Sequence, residues 1–175
     1  MDLDETLLHY DDQTEELRVR PFAEEILEQL AQHYEIVIFT AALQDYANWA
    51  ISCIGDGASE QHISHRLFRQ HALPCKDFYI KDLSLLGRDL SKTMIVDNTP
   101  ENFLMQPDNG IPILSWYDDE SDTHLMQLAS MLLGVVQSQP KDIRVATQKW
   151  QDQFTKMVEA GAETAQIDLS GLEDY

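Results

Sequence analysis

Three residues of the opening stretch MDLDETLL, Asp2, Asp4 and Thr6, alternate with Leu3 and Glu5 and so share one parity. In an extended chain that spacing points them to the same side. A buried strand tolerates carboxylates only when they are paired, hydrogen-bonded or bound to metal, so the stretch is either a site or a surface. Other apolar runs end in the same way: Thr40 follows YEIVIF, Lys81 follows FYI, and Asp97 and Asn98 follow TMIV. In open parallel sheets ligands bind beyond the carboxyl ends of the strands. If these runs are strands of one sheet, three carboxylates, a hydroxyl, an ammonium and an amide meet at one edge.

Clustered carboxylates repel one another unless a cation neutralises them. An all-oxygen donor set suits magnesium, which needs one or two carboxylates and accepts substrate phosphate oxygens. Lys81 and Thr40 are then free to hold phosphoryl oxygens where negative charge accumulates. Of Asp2 and Asp4, one can attack as a nucleophile while the other handles protons. Thr40 can also cap the helix that follows it, which is compatible with a role in the site. His62, His65 and His71 lack a fourth ligand and a helical i, i+4 pair, so they read as surface or satisfied histidines rather than a zinc site. Trp116 reads as core packing.

The elements that must position these groups follow from periodicity. Residues 10–16 read as a polar turn and 17–20 as a short strand ended by Pro21. Apolar positions at helical spacing predict an amphipathic helix over 22–33, with Glu24, Glu25 and Glu28 on its outer face. Residues 34–40 have the composition of a strand buried on both faces. A helix is expected over 43–53, strands near 65–68, 78–80, 93–96 and 111–116, and a helix over 122–136. Strands alternating with helices imply an α/β fold with a doubly wound parallel sheet and helices on both faces. Beyond the break at 137–140, Ile143, Ala146, Trp150, Phe154 and Met157 mark one face of a further helix. It either packs back on the domain or binds a partner. The expected organisation is a catalytic domain over 1–137, a helical extension over 141–160 and an acidic, poorly ordered tail over 161–175.

The 175 residues suit one domain with an appended segment, and a hydrophobic content of 43% excludes disordered and fibrous classes. Thirty-one acidic residues against twelve basic ones give a net charge of −19, which disfavours direct binding to nucleic acid or anionic membrane. No apolar run is long enough to span a bilayer. Cys53 and Cys75 show no metal-ligand spacing and read as free, buried thiols, consistent with an intracellular, reducing setting such as the nucleus or cytoplasm. Only Met1 precedes Asp2, so either the first strand is very short or the chain begins partway through it.

The segments DLDETL (2–7), FTAALQDYA (39–47), KDLSLLGRDL (81–90) and VDNTPENF (96–103) resemble, in order, the four motifs of the haloacid-dehalogenase superfamily. More closely, they are similar to its branch of small RNA-polymerase C-terminal-domain and Dullard-like (NLI-interacting-factor-like) phosphatases. RVRPF, RLFR (66–69) and SWYDD (115–119) extend the resemblance to about residue 135. It implies a magnesium-dependent phosphoserine/phosphothreonine protein phosphatase with no large cap domain. In that reading Asp2 is the nucleophile, Asp4 protonates the leaving oxygen and then activates water, and Thr40 and Lys81 bind the phosphoryl group. The magnesium site would comprise Asp2, Asp4 through its main-chain carbonyl, Asp97 and Asn98. Thr6, Tyr46 and Arg69 are the expected substrate contacts, with Tyr46 and Arg69 at the entrance.

Two departures bear on specificity. Relatives carry a longer insertion between the first motif and the RP dipeptide, whereas only LHYDDQTEELRV stands here, and DNTP replaces the commoner DNSP. A catalytically weak binding module of the same fold and a small-molecule phosphatase are the competing readings. The intact DLDET, Lys81 and Asp97 argue against the first, and the lack of a loop long enough to form a cap argues against the second.

Overall fold

The computed structural model describes residues 1–161. The elements in chain order are β1 (Leu8–Asp11), β2 (Glu16–Val19), α1 (Ala23–Ala31), β3 (Val37–Phe39), α2 (Gln44–Ser52), β4 (His65–Leu67), β5 (Leu73–Cys75), β6 (Phe78–Ile80), β7 (Ile95–Asp97), β8 (Gly110–Pro112), α3 (His124–Ser138) and α4 (Arg144–Glu159), with short 3₁₀ turns between them. The expectation for the acidic tail falls on residues beyond 161, outside the described residues.

Two strand pairs are parallel, β3 with β4 and β7 with β8. Residues 1–3 lie between these pairs and tie them together through the main chain. The Met1 amino group donates to the Val37 carbonyl at 2.7 Å, the Phe39 N–H donates to the Met1 carbonyl at 2.8 Å, and the Asp2 N–H donates to the Val96 carbonyl at 2.8 Å. Asp2 and Asp97 are thereby brought to one edge.

The other two pairs are antiparallel hairpins, and here the all-parallel expectation needs correction. Only Lys76 and Asp77 separate β5 from β6, and Lys76 adopts φ +50°. A two-residue link can close only an antiparallel pair. Residues 10 and 11, read as part of a turn, belong to β1. The turn starts later, where the Asp11 carboxylate accepts the N–H groups of Gln13 (2.8 Å) and Thr14 (3.4 Å).

Helix α1 buries Ile26, Leu27 and Leu30, as its periodicity required, and packs on α3, but it starts at Ala23, which is buried, while Phe22, expected as its first residue, is exposed at φ +68°. Tyr34 fixes that contact by donating its hydroxyl to the Leu132 carbonyl at 2.6 Å. Helix α4 packs back on the same core through Ala146, Trp150 and Met157. Trp150 is 1% exposed, and its indole N–H donates to the Pro112 carbonyl of β8 at 2.8 Å. Cys53 and Cys75 are free, as expected, but half-buried. Among the described residues no helix is long and apolar enough to cross a membrane.

One buried ion pair locks the segment that follows the opening aspartates. Arg20, 1% exposed, meets Asp122 through two bonds of 2.9 and 2.8 Å. Its remaining nitrogen donates to the carbonyls of Thr6 (3.1 Å) and Leu114 (3.0 Å). Burial raises the Asp122 carboxyl pKa, but the hydrogen bonds and charges of His124 and Arg20 prevail and hold it far below the usual range. Such a group adds stability above the unfolded value near about pH 4, and that stability is lost as pH falls through the folded value. Removing one partner strands the other as an uncompensated buried charge. Arg20→Leu should therefore cost about 3–5 kcal/mol in urea denaturation. The acid-induced loss of stability below about pH 4 should be shallower in the variant than in the wild type.

Candidate active site

The strand ends deliver the site. Lys81, immediately after β6, is fully buried, and its ammonium donates to Asp2 Oδ1 and Asp97 Oδ2 at 2.6 Å each. Its main-chain N–H donates to the Asn102 carbonyl at 2.6 Å, which fixes where the side chain starts. Burial alone would pull the ammonium pKa down; the charges of Asp2 and Asp97 more than offset it, so Lys81 stays charged. Asp97 is pushed up by burial and by the charge of Asp2, against the pull of Lys81.

The Asp97 carboxylate is fully engaged. Oδ1 accepts the Thr99 N–H (2.9 Å) and the Asn102 amide (3.0 Å), and Oδ2 accepts Lys81 and the same amide at 3.1 Å. Asn98 is arranged differently. Its amide nitrogen donates to Ser115 Oγ at 2.8 Å, which turns Oδ1 toward Thr6 Oγ1, 3.4 Å away. Thr6 is fully buried and also lies 3.4 Å from Asp2 Oδ2, so it bridges the first and fourth motifs from beneath.

Asp4 points to the opposite side of the cleft. Oδ1 accepts the Tyr46 hydroxyl at 2.6 Å and Oδ2 accepts the Thr40 hydroxyl at 3.2 Å. The Thr40 oxygen accepts the Ala42 N–H at 2.9 Å, and this orients the hydroxyl. Burial raises the Asp4 carboxyl pKa, the Tyr46 hydrogen bond opposes this, and the charge of Asp2 adds to the rise. Between Asp2 and Thr6 the chain turns sharply, with Glu5 at φ +54°. This left-handed conformation, uncommon for glutamate, is the kind of local strain found at functional sites.

The cleft above these groups has a volume of about 220 Å³ and is lined by Asp2, Asp4, Thr40, Tyr79, Asn98 and Asn102 among others. Lys81, Asp97 and Thr6 are fully buried beneath it. Arg69 stands on the rim: its Nε donates to the Ala41 carbonyl at 2.6 Å and its guanidinium lies 5.3 Å from the Tyr79 ring centre. A larger groove of about 390 Å³ opens elsewhere on β3, but its Glu35 and Arg88 are paired with each other at 2.7 and 2.8 Å.

Of the residues named from the sequence, Asp2, Asp4, Thr40 and Asn98 line the cleft and Thr6, Lys81 and Asp97 lie below it, whereas Tyr46 and Arg69 stand outside the lining and reach it through Asp4 and through Ala41 and Tyr79. Asn102 and the Arg20–Asp122 pair went unrecognised. Asn102 lies in a 3₁₀ turn, Pro100–Phe103, where no local pattern marks its partner, and the two ends of the ion pair lie 102 positions apart in the chain. The carboxylates outnumber the one buried lysine, which favours a cation in the cleft. Among the described residues no three His, Cys, Asp or Glu side chains converge on a point. A cation here would depend on amide, main-chain and water oxygens as well as carboxylate, which fits magnesium.

A family model described as NLI interacting factor-like phosphatase matches residues 1–144. CTD small phosphatase-like protein 3 of Caenorhabditis elegans is 45% identical over 119 residues, covering 68% of this chain and 41% of that protein. The human carboxy-terminal domain RNA polymerase II polypeptide A small phosphatase 2 is 36% identical over 146 residues, covering 73% of this chain and 53% of that protein. The chain therefore spans about half or less of the length of these relatives. The solved structure of Fcp1, an essential RNA polymerase II CTD phosphatase, is similar in fold, with a TM-score of 0.59 at 13% identity over 96% of this chain and 67% of that chain. With its motifs in order and the match running through residue 144, the chain belongs to the NLI interacting factor-like phosphatase family.

Proposed function

We propose that this chain is a magnesium-dependent protein phosphatase that removes phosphate from serine or threonine side chains through an aspartyl-phosphate on Asp2. The observation that carries the reading is the Lys81 ammonium held 2.6 Å from both Asp2 and Asp97, directly beneath a cleft whose far wall is Asp4. Nucleophile, cation and acid/base are separate groups with separate environments. The two parallel pairs joined through residues 1–3 support a doubly wound sheet as the scaffold, and the half-buried free cysteines fit a reducing compartment, nucleus or cytoplasm.

The chemistry divides as follows. A magnesium ion bound by Asp2, the Asp4 main-chain carbonyl and Asn98 Oδ1 would supply positive charge next to the phosphoryl oxygens. Asp97, expected from the sequence among the ligands, also accepts Lys81, the Thr99 N–H and the Asn102 amide, so it would position these groups beside the ion. A carboxylate oxygen of Asp2 attacks phosphorus, the phosphorus–oxygen bond to the substrate breaks, and protonated Asp4 gives its proton to the departing serine or threonine oxygen. Asp4, now a carboxylate, takes a proton from water as that water attacks the phosphoryl group. The bond to Asp2 breaks and inorganic phosphate leaves. Lys81 and Thr40 stabilise charge on the transferred group. The Thr6 hydroxyl, 3.4 Å from both Asp2 Oδ2 and Asn98 Oδ1, positions these two side chains at the floor of the cleft.

Burial raises the Asp4 pKa, which favours the protonated form the first step requires. Tyr46 works against that rise, so Tyr46→Phe should raise the Asp4 pKa further and move the alkaline limb of the kcat/KM profile to higher pH. A limb that stayed in place or moved down would remove Asp4 from the acid role. Hydrolysis of an aryl phosphate tests the class directly. We expect it to require magnesium, to stop on chelation and return on repletion, and to fall by about 10³-fold or more in Asp2→Asn. Full activity in Asp2→Asn would overturn the mechanism.

A further inference from the structure

We propose that an aromatic cluster beside the cleft selects phosphoproteins carrying a lysine or arginine two or three residues from the phosphorylated position; this rests on the phosphatase reading above. Tyr10 of β1 and Tyr46 and Trp49 of α2 form a closed three-way contact. Ring centres are 6.1 Å apart for Tyr10–Tyr46, 5.7 Å for Tyr10–Trp49 and 5.9 Å for Tyr46–Trp49, two of them edge-to-face. Such mutual contacts hold the rings in fixed orientation. Trp49 nevertheless remains 47% exposed, while its own helix buries Ala47, Ala50 and Ile51 in the core.

Tyr46 joins this cluster to the reacting groups, because its hydroxyl donates to Asp4 at 2.6 Å. An extended peptide advances about 3.3 Å per residue. With its phosphorylated side chain at Asp2 and Asp4, a neighbour two or three positions away lies about 7–10 Å along the peptide, a reach comparable with the step from the Tyr46 hydroxyl at Asp4 to the Trp49 ring, whose centre is 5.9 Å from that of Tyr46.

Charge decides which neighbour fits. Glu5 and Asp12 lie close enough to Tyr46 that their charges add to burial and to Asp4 in raising its phenol pKa. Asp45 is exposed in the first turn of α2, one residue before Tyr46. On the hairpin Arg18 is engaged by Glu16 at 3.1 Å and Asp118 at 3.5 Å, and His9 lies against Glu5 at 3.0 Å, which leaves Asp12 and Asp45, among the described residues, as the carboxylates without a basic partner beside the rings. Among the described residues the cation–ring contacts are Arg69 over Tyr79 and Lys81 near Phe39, neither of them in this cluster. An exposed indole and phenol bordered by carboxylates attract an ammonium or guanidinium through the ring face and through charge together. An acidic neighbour would be repelled, and a proline or alkyl group would gain only the apolar contact.

The test uses phosphoserine peptides that are identical except for Arg, Pro, Ala or Glu at the second and third positions on either side. We expect kcat/KM for an Arg peptide to exceed that of the Ala peptide by about 3–30-fold, with Glu below Ala. The Arg-to-Ala ratio should fall toward one in Trp49→Ala, in Asp12→Asn and in high salt. Pro or Ala peptides that matched Arg, or a ratio that survived Trp49→Ala and Asp12→Asn, would overturn the proposal. Fluorescence anisotropy of the labelled peptides reads the same preference without turnover. If neither peptides nor aryl phosphate were hydrolysed, the phosphatase reading would fail. Tighter binding of the Arg peptide that disappeared in Trp49→Ala would then still support the cluster as a basic-residue reader, and equal binding of all peptides would overturn it.

Discussion

The buried Lys81 ammonium, held by Asp2 and Asp97, is the interaction on which the site depends. A lysine with no exposure keeps its charge only where carboxylates surround it, and two carboxylates tolerate this proximity only with a cation between them. The three groups come from three segments: residues 1–3, the end of β6 and the end of β7. Their mutual attraction therefore fixes how these segments meet. Asn102 and the Thr99 N–H occupy the lone pairs of Asp97 that Lys81 leaves, so the anchor has one arrangement. What lines the cleft above this anchor is Asp2, Asp4, Thr40 and Asn98.

The second constraint acts from the other side. Arg20 binds Asp122 and also takes the carbonyls of Thr6 and Leu114, so the strained turn after Asp4 is tied to β2, to the segment after β8 and to the start of α3. A left-handed Glu5 persists where its surroundings leave no alternative, and this clamp is a large part of that surrounding. Hydrophobic packing of α1, α3 and α4 supplies the bulk of the core, and Trp150 ties α4 to β8. The polar anchors decide the position of a few atoms within it.

Most residues at the cleft were legible in the sequence because Thr40, Lys81, Asp97 and Asn98 each follow a short apolar run, and ligands gather beyond the carboxyl ends of such strands. The helices were legible for the same kind of reason: α1 shows its period in Ile26, Leu27 and Leu30. The antiparallel β5–β6 pair was not, because it is decided by a two-residue link and a positive φ at Lys76 rather than by hydrophobic pattern. Arg20 and Asp122 were not either, since nothing local to RVRPF names a partner 102 residues away. Position in the sequence brought Asp97, Asn98 and Thr6 together but did not show their hydrogen bonds: Asp97 to Lys81 and Asn102, Asn98 to Ser115, and Thr6 to Asp2 and Asn98.

If Asp2 carries the phosphoryl group between the two half-reactions, a phosphorylated Asp2 forms and decays during turnover. The direct measurement is a rapid acid quench during turnover of a ³²P-labelled phosphomonoester, followed by peptide mapping of the labelled protein. An aspartyl-phosphate intermediate gives an acid-stable, hydroxylamine-labile label on Asp2 that is lost in Asp2→Asn with Asp4 intact. A label on Asp4, or turnover that continues with no covalent label under conditions that trap the intermediate, would contradict it.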